Sequence, residues 1–295
     1  MPRVLNFGSL NIDHVYRVPH FVQPKETLSS LDYQRFAGGK GFNQSIALAR
    51  AGADVAHAGC IGADGTWLRE LLVESGANVA HLRTVGTPTG HAIINVSPDG
   101  QNSIVLYGGA NRAITPDMAR ETIATFKPGD FLLLQNEISA MPEIMRLAQK
   151  RGMNIVFNPA PLDAAVATYP LETVSCFLLN EIEGSQLSGA DKPDAVMTAL
   201  RKRFPQATII LTLGHDGVLA SDAGNEPIRV PACRVEKVVD TTAAGDTFTG
   251  YYLACRLRGD DFATAIRTAC RAAAICVTRP GAAASIPKRD EVDAK

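Results

Sequence analysis

FLLLQNEISAMPEIMRLAQKRGMNIVF, residues 131–157, sets the pattern that governs the whole chain. Phe131–Leu134 is a short apolar run, as expected of a strand buried on both faces. Pro142–Lys150 carries apolar residues at helical spacing, and Asn154–Phe157 ends in a second apolar run. Strand, helix, strand at this spacing is one crossover unit of a parallel sheet.

The same rhythm extends in both directions. Upstream, Val4–Ser9 reads as a strand, Phe42–Ala51 as a helix stopped by Gly52, Asp54–Ile61 as a strand and Thr66–Glu74 as a helix ending near Gly76. Downstream, Cys176–Leu179 and Thr208–Leu213 read as strands around a helix from Asp194 to Phe204. Helices near Asp246–Arg258 and Phe262–Val277 close the chain. Repetition of this unit predicts an α/β fold in three layers, with helices on both faces of a mainly parallel central sheet. Two stretches break the rhythm. Glu26–Phe36 and His91–Tyr107 alternate apolar and polar residues, and Pro98-Asp99-Gly100 marks a hairpin turn in the second. They predict a small sheet standing off the main body as a lid, drawn from about 12–37 and 90–110 of one domain spanning 1–295. Residues Asp290–Lys295 are expected to fray.

The 295 residues are 46% hydrophobic and 20% charged, a balance suited to a folded core. Twenty-nine Lys and Arg against 30 Asp and Glu leave a net charge of −1. That balance removes the electrostatic case for nucleic acid or an anionic membrane as partner, so phosphate chemistry must come from a local site. The six cysteines (60, 176, 233, 255, 270, 276) include no C-x-x-C pair. Buried free thiols are expected, rather than disulfides or structural zinc. MPRVLNFGSLNID lacks the apolar stretch of a signal peptide, and no run approaches the ~18 apolar residues of a membrane span. The expectation is a soluble, cytoplasmic protein acting on small molecules.

Four segments carry chemistry. In Asp240-Thr241-Thr242-Ala243-Ala244-Gly245-Asp246-Thr247-Phe248, small residues at 243–245 let a ligand approach the backbone, and a helix follows at once. Backbone N–H groups at a helix start form an anion site. An acid there suits general-base activation of an attacking hydroxyl beside a bound phosphate, or else is only a first-turn acid favoured by the helix dipole. Gly38-Gly39-Lys40-Gly41-Phe42-Asn43 is a glycine-rich turn opening a helix, but its spacing is not that of a Walker A loop. Asn11 and Asp13 follow the first strand, where a carboxylate and an amide either grip vicinal hydroxyls or make an Asx turn. Asn180 and Glu183 share a helix face after another buried strand, as partners of hydrated Mg²⁺ or as a capping pair.

Taken together and in this order, the segments resemble the ribokinase family of carbohydrate kinases. The likeness runs from about Val4 to Pro287 and includes Gly8–Asp13, Gly38–Gly41, Asn158-Pro159-Ala160-Pro161, Asn180–Glu183, Thr212-Leu213-Gly214 and the 240–248 segment. Ala243-Ala244, where many relatives have Gly-Ala, is the form of ribokinases proper. The resemblance implies an ATP-dependent sugar kinase, with D-ribose phosphorylated at its 5-hydroxyl. It casts Asp246 as catalytic base and the N–H groups of Ala243, Ala244 and Gly245 as the anion hole. Asn11, Asp13, Gly39, Lys40, Asn43 and Glu137 would hold the sugar, with Asp246. Asn180 and Glu183 would organise water around Mg²⁺; Thr212, Gly214, Gly217 and Gly245 would line the ATP site, with Cys270 near the adenine. Asp240, Thr242, Cys276, Arg279, Gly281 and Ser285 match the ligands of an activating K⁺. The family's lids also pair in homodimers, which this chain is expected to share. Three residues depart from the pattern: Lys25 where relatives have Gly, His91 on the lid, expected to face solvent, and Asn136 beside Glu137. Another sugar or a nucleoside is the alternative substrate, and a catalytically silent sugar-binding protein the alternative class.

Overall fold

The computed structural model describes residues 2–294. In chain order the elements are β1 (Val4–Phe7), β2 (Asn11–Arg17), β3 (Asp32–Gly38), α1 (Lys40–Arg50), β4 (Val55–Ile61), α2 (Thr66–Glu74) and β5 (Asn78–Thr84). Next come β6 (Gly90–Val96), β7 (Asn102–Tyr107), α3 (Pro116–Ala124), β8 (Phe131–Gln135), α4 (Met141–Arg151), β9 (Asn154–Asn158) and β10 (Val174–Asn180). The chain ends with α5 (Glu181–Ser188), α6 (Pro193–Arg203), β11 (Thr208–Thr212), β12 (Val218–Ser221), β13 (Ile228–Val230), α7 (Ala244–Arg258), α8 (Phe262–Cys276) and α9 (Arg289–Asp293).

Nine strands form the main sheet in the order β13-β12-β11-β10-β9-β8-β1-β4-β5. From β5 to β11 neighbouring strands run parallel; β12 and β13 add an antiparallel edge. Because strand side chains alternate, each buried strand feeds two cores. Val4, Leu133, Val156, Leu178 and Ile210 pack on the side of α1, α7 and α8. Their neighbours Leu5, Leu132, Ile155, Phe177 and Ile209 pack against α4 and α6 on the other side. The expected three-layer α/β architecture is therefore present.

The second sheet has four strands, β3-β2-β6-β7, with β2 and β6 parallel and the outer pairs antiparallel. Two expectations need correction here. The alternating stretch at 26–36 becomes a strand only from Asp32, because the turn before it carries the chain away from the sheet. Asn11–Arg17, placed past a strand and within the lid from about residue 12 but not itself read as a strand, is a central strand of the lid. Lys25 holds φ 71, so this lysine keeps a left-handed backbone that glycine adopts without cost. His91 lies against Tyr107 and His14, with ring centroids 5.0 and 5.8 Å apart.

The C-terminus does not fray as expected. Residues 289–293 are helical, Val292 is fully buried, and Glu291 pairs with the Arg279 guanidinium; Lys295 lies outside the described residues. All six cysteines are free, five of them buried and Cys233 exposed. Among the described residues no helix is long and apolar enough to cross a membrane.

Candidate active site

Strand order reverses around β1: the chain winds outward through β4 and β5 on one side and through β8 to β13 on the other. In such sheets a crevice opens at the carboxyl ends of the strands beside the reversal. Loops leaving β1, β8, β9, β10 and β11 meet the N-termini of α1 and α7 there, and the lid sheet stands above them. The resulting cleft is about 1490 Å³. It is lined by Asn11, Asp13, Gly39, Lys40, Asn43, Glu137, Asn180, Glu183, Thr212, Gly214, Asp240, Thr242, Ala243, Gly245, Asp246 and Gly281.

Asp246 occupies the first turn of α7 and is 6% exposed. Its two carboxylate oxygens accept from two residues of α1: Asn43 Nδ2 donates to Oδ2 at 3.0 Å and Gln44 Nε2 to Oδ1 at 2.9 Å. Helices α1 and α7 come close enough for this because Gly250 packs against Ala47, where a Cβ would lie 2.4 Å from the Ala47 methyl. Ala243 caps α7 with φ 60, a left-handed backbone that glycine adopts without strain. The N–H of Ala244 donates to the Thr241 carbonyl at 3.2 Å, so it is already committed. The space in front of Gly245 is open: a Cβ there would meet no atom within 4 Å.

The other end of the cleft is built on β1 and β2. Gly39, with φ 93, turns the chain so that α1 starts beneath Asn11. Gly38 lies flat on the Asp13 carboxylate, where a Cβ would approach Oδ2 to 2.2 Å. Burial, aided by the nearby Glu137 charge, pushes the Asp13 carboxyl up to about 6. Glu137 accepts from the Lys40 N–H at 2.9 Å and from the Ser9 hydroxyl, and burial raises its pKa as well. The Lys40 ammonium is held above its ordinary range by the charges of Asp246, Glu137 and Glu183, against the opposing effect of burial. Asn136 turns away from the cleft, accepting from Tyr169 Oη and donating to the Pro161 carbonyl, both at 2.7 Å.

At the start of α5, Asn180 and Glu183 form a complete capping box. Asn180 Oδ1 accepts from the Glu183 N–H at 2.8 Å, while Glu183 accepts from the Asn180 N–H and Nδ2 at 3.0 and 2.9 Å. The capping alternative is therefore present in full, and both residues also line the cleft. With their groups engaged, and no cluster of three His, Cys, Asp or Glu suited to a metal among the described residues, the pair fits an ion that keeps its water shell. Asp240 ties two loops together: Oδ1 accepts from the N–H and hydroxyl of Thr242, and Oδ2 from the Gly281 N–H at 2.9 Å. Cys276 Sγ lies 3.0 Å from Ser285 Oγ and 3.7 Å from the Thr242 carbonyl. These residues are adjacent, and an anionic side chain beneath carbonyl-bearing loops fits a monovalent cation, whereas the Arg279 side chain points out to Glu291.

Thr212 and Gly214 line the cleft, but Gly217 and Cys270 do not. Gly217 sits with φ 94 against the Val230–Ala232 backbone as the turn between β11 and β12. The buried Cys270 thiol is pushed up to about 12 by burial.

Several polar residues of the site were not anticipated. Asn111 holds Asn11 from behind: its Nδ2 donates to Asn11 Oδ1 at 2.8 Å and to the Leu10 carbonyl, and its Oδ1 accepts from the Leu10 N–H. That leaves Asn11 Nδ2 to donate into the cleft. Gln44, Gln135 and Asn158 stand behind Asp246. Only the polarity of these residues, in segments otherwise apolar, marked them in the sequence.

A family model described as pfkB family carbohydrate kinase matches residues 1–289. A ribokinase from Haemophilus influenzae is 39% identical over 293 residues, covering 96% of this chain and 95% of its own. Ribokinase from Cryptococcus neoformans var. grubii, solved in complex with ADP, matches with a TM-score of 0.89 and 35% identity, over 100% of this chain and 99% of that one. Arabidopsis thaliana ribokinase, complexed with ribose and ATP, gives a TM-score of 0.89 at 29% identity, over 99% and 98% of the two chains. With the sheet, the lid and the buried carboxylate at the mouth of α7 all matched by a family model over almost its full length, the chain belongs to the pfkB family of carbohydrate kinases.

Proposed function

We propose that the chain transfers the γ-phosphoryl group of ATP to the 5-hydroxyl of D-ribose, giving ribose 5-phosphate and ADP. The observation that carries this reading is the placement of Asp246 in one cleft with Asn11, Asp13 and Lys40. The ribokinases to which the chain is similar, one of them solved with ribose and ATP, support the substrates.

In this reading Asn11, Asp13, Gly39, Lys40, Asn43 and Glu137 hold the sugar hydroxyls. Asn43 Oδ1 is buried without a partner and awaits a hydroxyl donor. Asp246 takes the proton of the 5-hydroxyl as its oxygen attacks phosphorus and the bond to the β-phosphate oxygen breaks. The N–H groups of Ala243 and Gly245, at the positive end of α7, meet the charge on the transferring group; that of Ala244 joins them only by releasing Thr241. Thr212 and Gly214 line the nucleotide side, and Gly217 and Cys270 support it from outside the cleft. Asn180 and Glu183 would hold the water shell of Mg²⁺, which when bound neutralises phosphate charge. Asp240, Thr242, Cys276, Arg279, Gly281 and Ser285 would seat K⁺ and so stiffen the loops beside the anion hole. Residues 12–37 and 90–110 act as a lid that excludes water from ATP. Exposed Phe36 (42%), Ile104 (52%) and Leu106 (62%) on the lid support pairing of two lids in a homodimer. The reading places the enzyme in the cytoplasm.

ADP release measured across ribose, deoxyribose, fructose and nucleosides, with and without K⁺, tests the proposal. Ribose should give the highest kcat/KM, and K⁺ should raise the rate. Turnover on another member of the panel with none on ribose would overturn the substrate. Tight ribose binding without ADP release, at saturating Mg²⁺ and K⁺, would reveal a silent binder.

The raised Asp13 carboxyl adds a pH signature. Only the ionised form accepts two hydroxyl hydrogens, so with a pKa of about 6 the ribose Kd should be flat above pH 7 and rise ~10-fold by pH 5. Folding linkage runs the other way. A carboxyl raised from 3.8 to about 6 contributes stability fully present below 3.8 and lost as pH rises through 6. Asp13→Asn should therefore flatten the ribose profile, weaken binding at pH 7.5, and raise the Tm of the ligand-free protein there. Calorimetric titration and thermal melts at both pH values check it.

A further inference from the structure

Next to Asp246 a run of polar side chains, buried except for the half-buried, cleft-lining Asn158, ends on its carboxylate. Gln44, fully buried, donates from Nε2 to Asp246 Oδ1 at 2.9 Å and to Asn158 Oδ1 at 3.1 Å. Its Oε1 accepts from Gln135 Nε2 at 2.6 Å, which also donates to Asn6 Oδ1 at 3.0 Å. Asn6 Nδ2 donates to the Gly41 carbonyl and to Ser45 Oγ, and Ser45 lies 2.8 Å from His57 Nδ1.

The polarity of this run is forced. An ionised carboxylate only accepts, so Gln44 must turn its NH₂ toward Asp246 and its oxygen toward Gln135. Gln135 must then present its own NH₂ to Gln44, and Asn6 its NH₂ to the Gly41 carbonyl. Ser45 Oγ accepts from Asn6 and shares a hydrogen bond with His57, which burial keeps neutral by lowering its pKa to about 4. Asn43, the second donor to Asp246, has no such lock, because its Oδ1 is unpartnered and its amide is free to turn. Gln44 is thus the donor with a fixed direction. A nonpolar side chain of equal size would leave Asp246 Oδ1 without this donor, so loss of stability and loss of positioning are expected together and must be separated by kcat of the folded molecules against Tm.

We propose that Gln44 is a positioning residue for phosphoryl transfer: its amide, locked by Asn158 and Gln135, fixes the plane of the Asp246 carboxylate against the incoming hydroxyl. The χ2 torsion of an aspartate is broad and two-fold, so a carboxylate held on one oxygen only would swing. This inference rests on Asp246 acting as the base, which Asp246→Asn tests on its own.

The test is Gln44→Met and Gln44→Glu, with kcat, KM, ribose Kd by calorimetry and Tm measured on each. Gln44→Met should lower kcat ~10–100-fold, the size of a positional error near the chemistry, while ribose Kd changes less than ~3-fold. Gln44→Glu places a second carboxylate against Asp246, so the acid limb of its kcat–pH profile should move up by about one unit or more. A role in folding alone would lower Tm and leave both the kcat of folded molecules and the profile unmoved. A kcat within twofold of wild type in Gln44→Met, or a loss confined to KM, overturns the proposal. Should that variant fail to fold, Gln135→Met decides, since it frees Gln44 without contacting Asp246. A ~3–10-fold fall in kcat supports the positioning role, and an unchanged kcat overturns it. If Asp246→Asn is crippled while these variants are not, the base stands and the Gln44 proposal alone has failed.

Discussion

Asp246→Asn is expected to lower kcat by ~10²–10⁴-fold, the usual contribution of a positioned general base, with ribose affinity changed by less than ~10-fold. The substitution keeps size and shape but replaces one acceptor oxygen by an NH₂. Two donors now meet a group with one oxygen. Gln44 is locked and keeps that oxygen, while Asn43 can turn its unpartnered Oδ1 toward the new NH₂. The turn exchanges an unpaired Asn43 Oδ1 for an unpaired Asn43 Nδ2, so the number of unpaired buried groups does not rise and the fold should survive with little change in Tm. What is lost is the lone pair that receives the hydroxyl proton. Stopped-flow or coupled ADP release, with calorimetric ribose binding as the control, separates the two effects. A kcat within tenfold of wild type would remove Asp246 from its role and leave the cleft without an assigned base.

The sheet was legible in the sequence wherever strands are buried on both faces and helices on one. Residues 131–157 predict a strand, helix and strand within two residues of β8, α4 and β9. Elements at the margin were not legible, for physical reasons. In β5, Asn78–Thr84, exposed positions interrupt any apolar run because the strand is a sheet edge. In β2, NIDHVYR, polar Asn11 and Asp13 line the cleft together with apolar Val15, while Ile12 joins the core, so no single apolar or alternating pattern dominates. Helix α9 is five residues long and is held by Val292 burial and by Arg279 from 12 positions away. No local signal in 289–293 announces that support.

The site divides along the same line. Asp246, Lys40 and the 243–245 run are legible because a charge or a cluster of small residues at a helix start is unusual enough to need a chemical reason. Asn180 and Glu183 are legible as a pair, but their spacing serves a cap and a water shell alike, and the structure gives the cap in full. Gln44, Asn111, Gln135 and Asn158 carry no charge, and an amide means nothing until its partner is known. Gln44 and Asp246 are 202 residues apart in the chain. Only the α1–α7 crossing turns that amide into a support for the carboxylate.

Gly41→Ala should be a severely damaging single-methyl change, because it wedges apart the elements on which every part of the site is hung. A Cβ at Gly41 would lie 2.4 Å from the Ser9 nitrogen and 2.6 Å from both Gly8 C and Cα. All three are backbone atoms, and Gly8 has no side chain to move. Relief requires α1 to move off the end of β1. That movement strains the bonds seating the helix: Phe42 N–H to the Ser9 carbonyl at 2.8 Å, Lys40 N–H to Glu137 at 2.9 Å, and Asn6 Nδ2 to the Gly41 carbonyl at 2.7 Å. Overpacking of a core typically costs 1–3 kcal/mol, and a clash between backbones belongs at about 3 kcal/mol or above. Helix α1 also carries Asn43 and Gln44, so a shift near 1 Å pulls both donors from Asp246 and should cost ~10²-fold in kcat/KM for molecules that remain folded. Gly86→Ala is the control, since a Cβ there meets nothing within 4 Å. Denaturant melts and steady-state kinetics on the two variants decide the matter. If Gly41→Ala is as stable and active as Gly86→Ala, the contact between Gly8 and Gly41 does not set the position of α1, and the placement of the base must come from α7 alone.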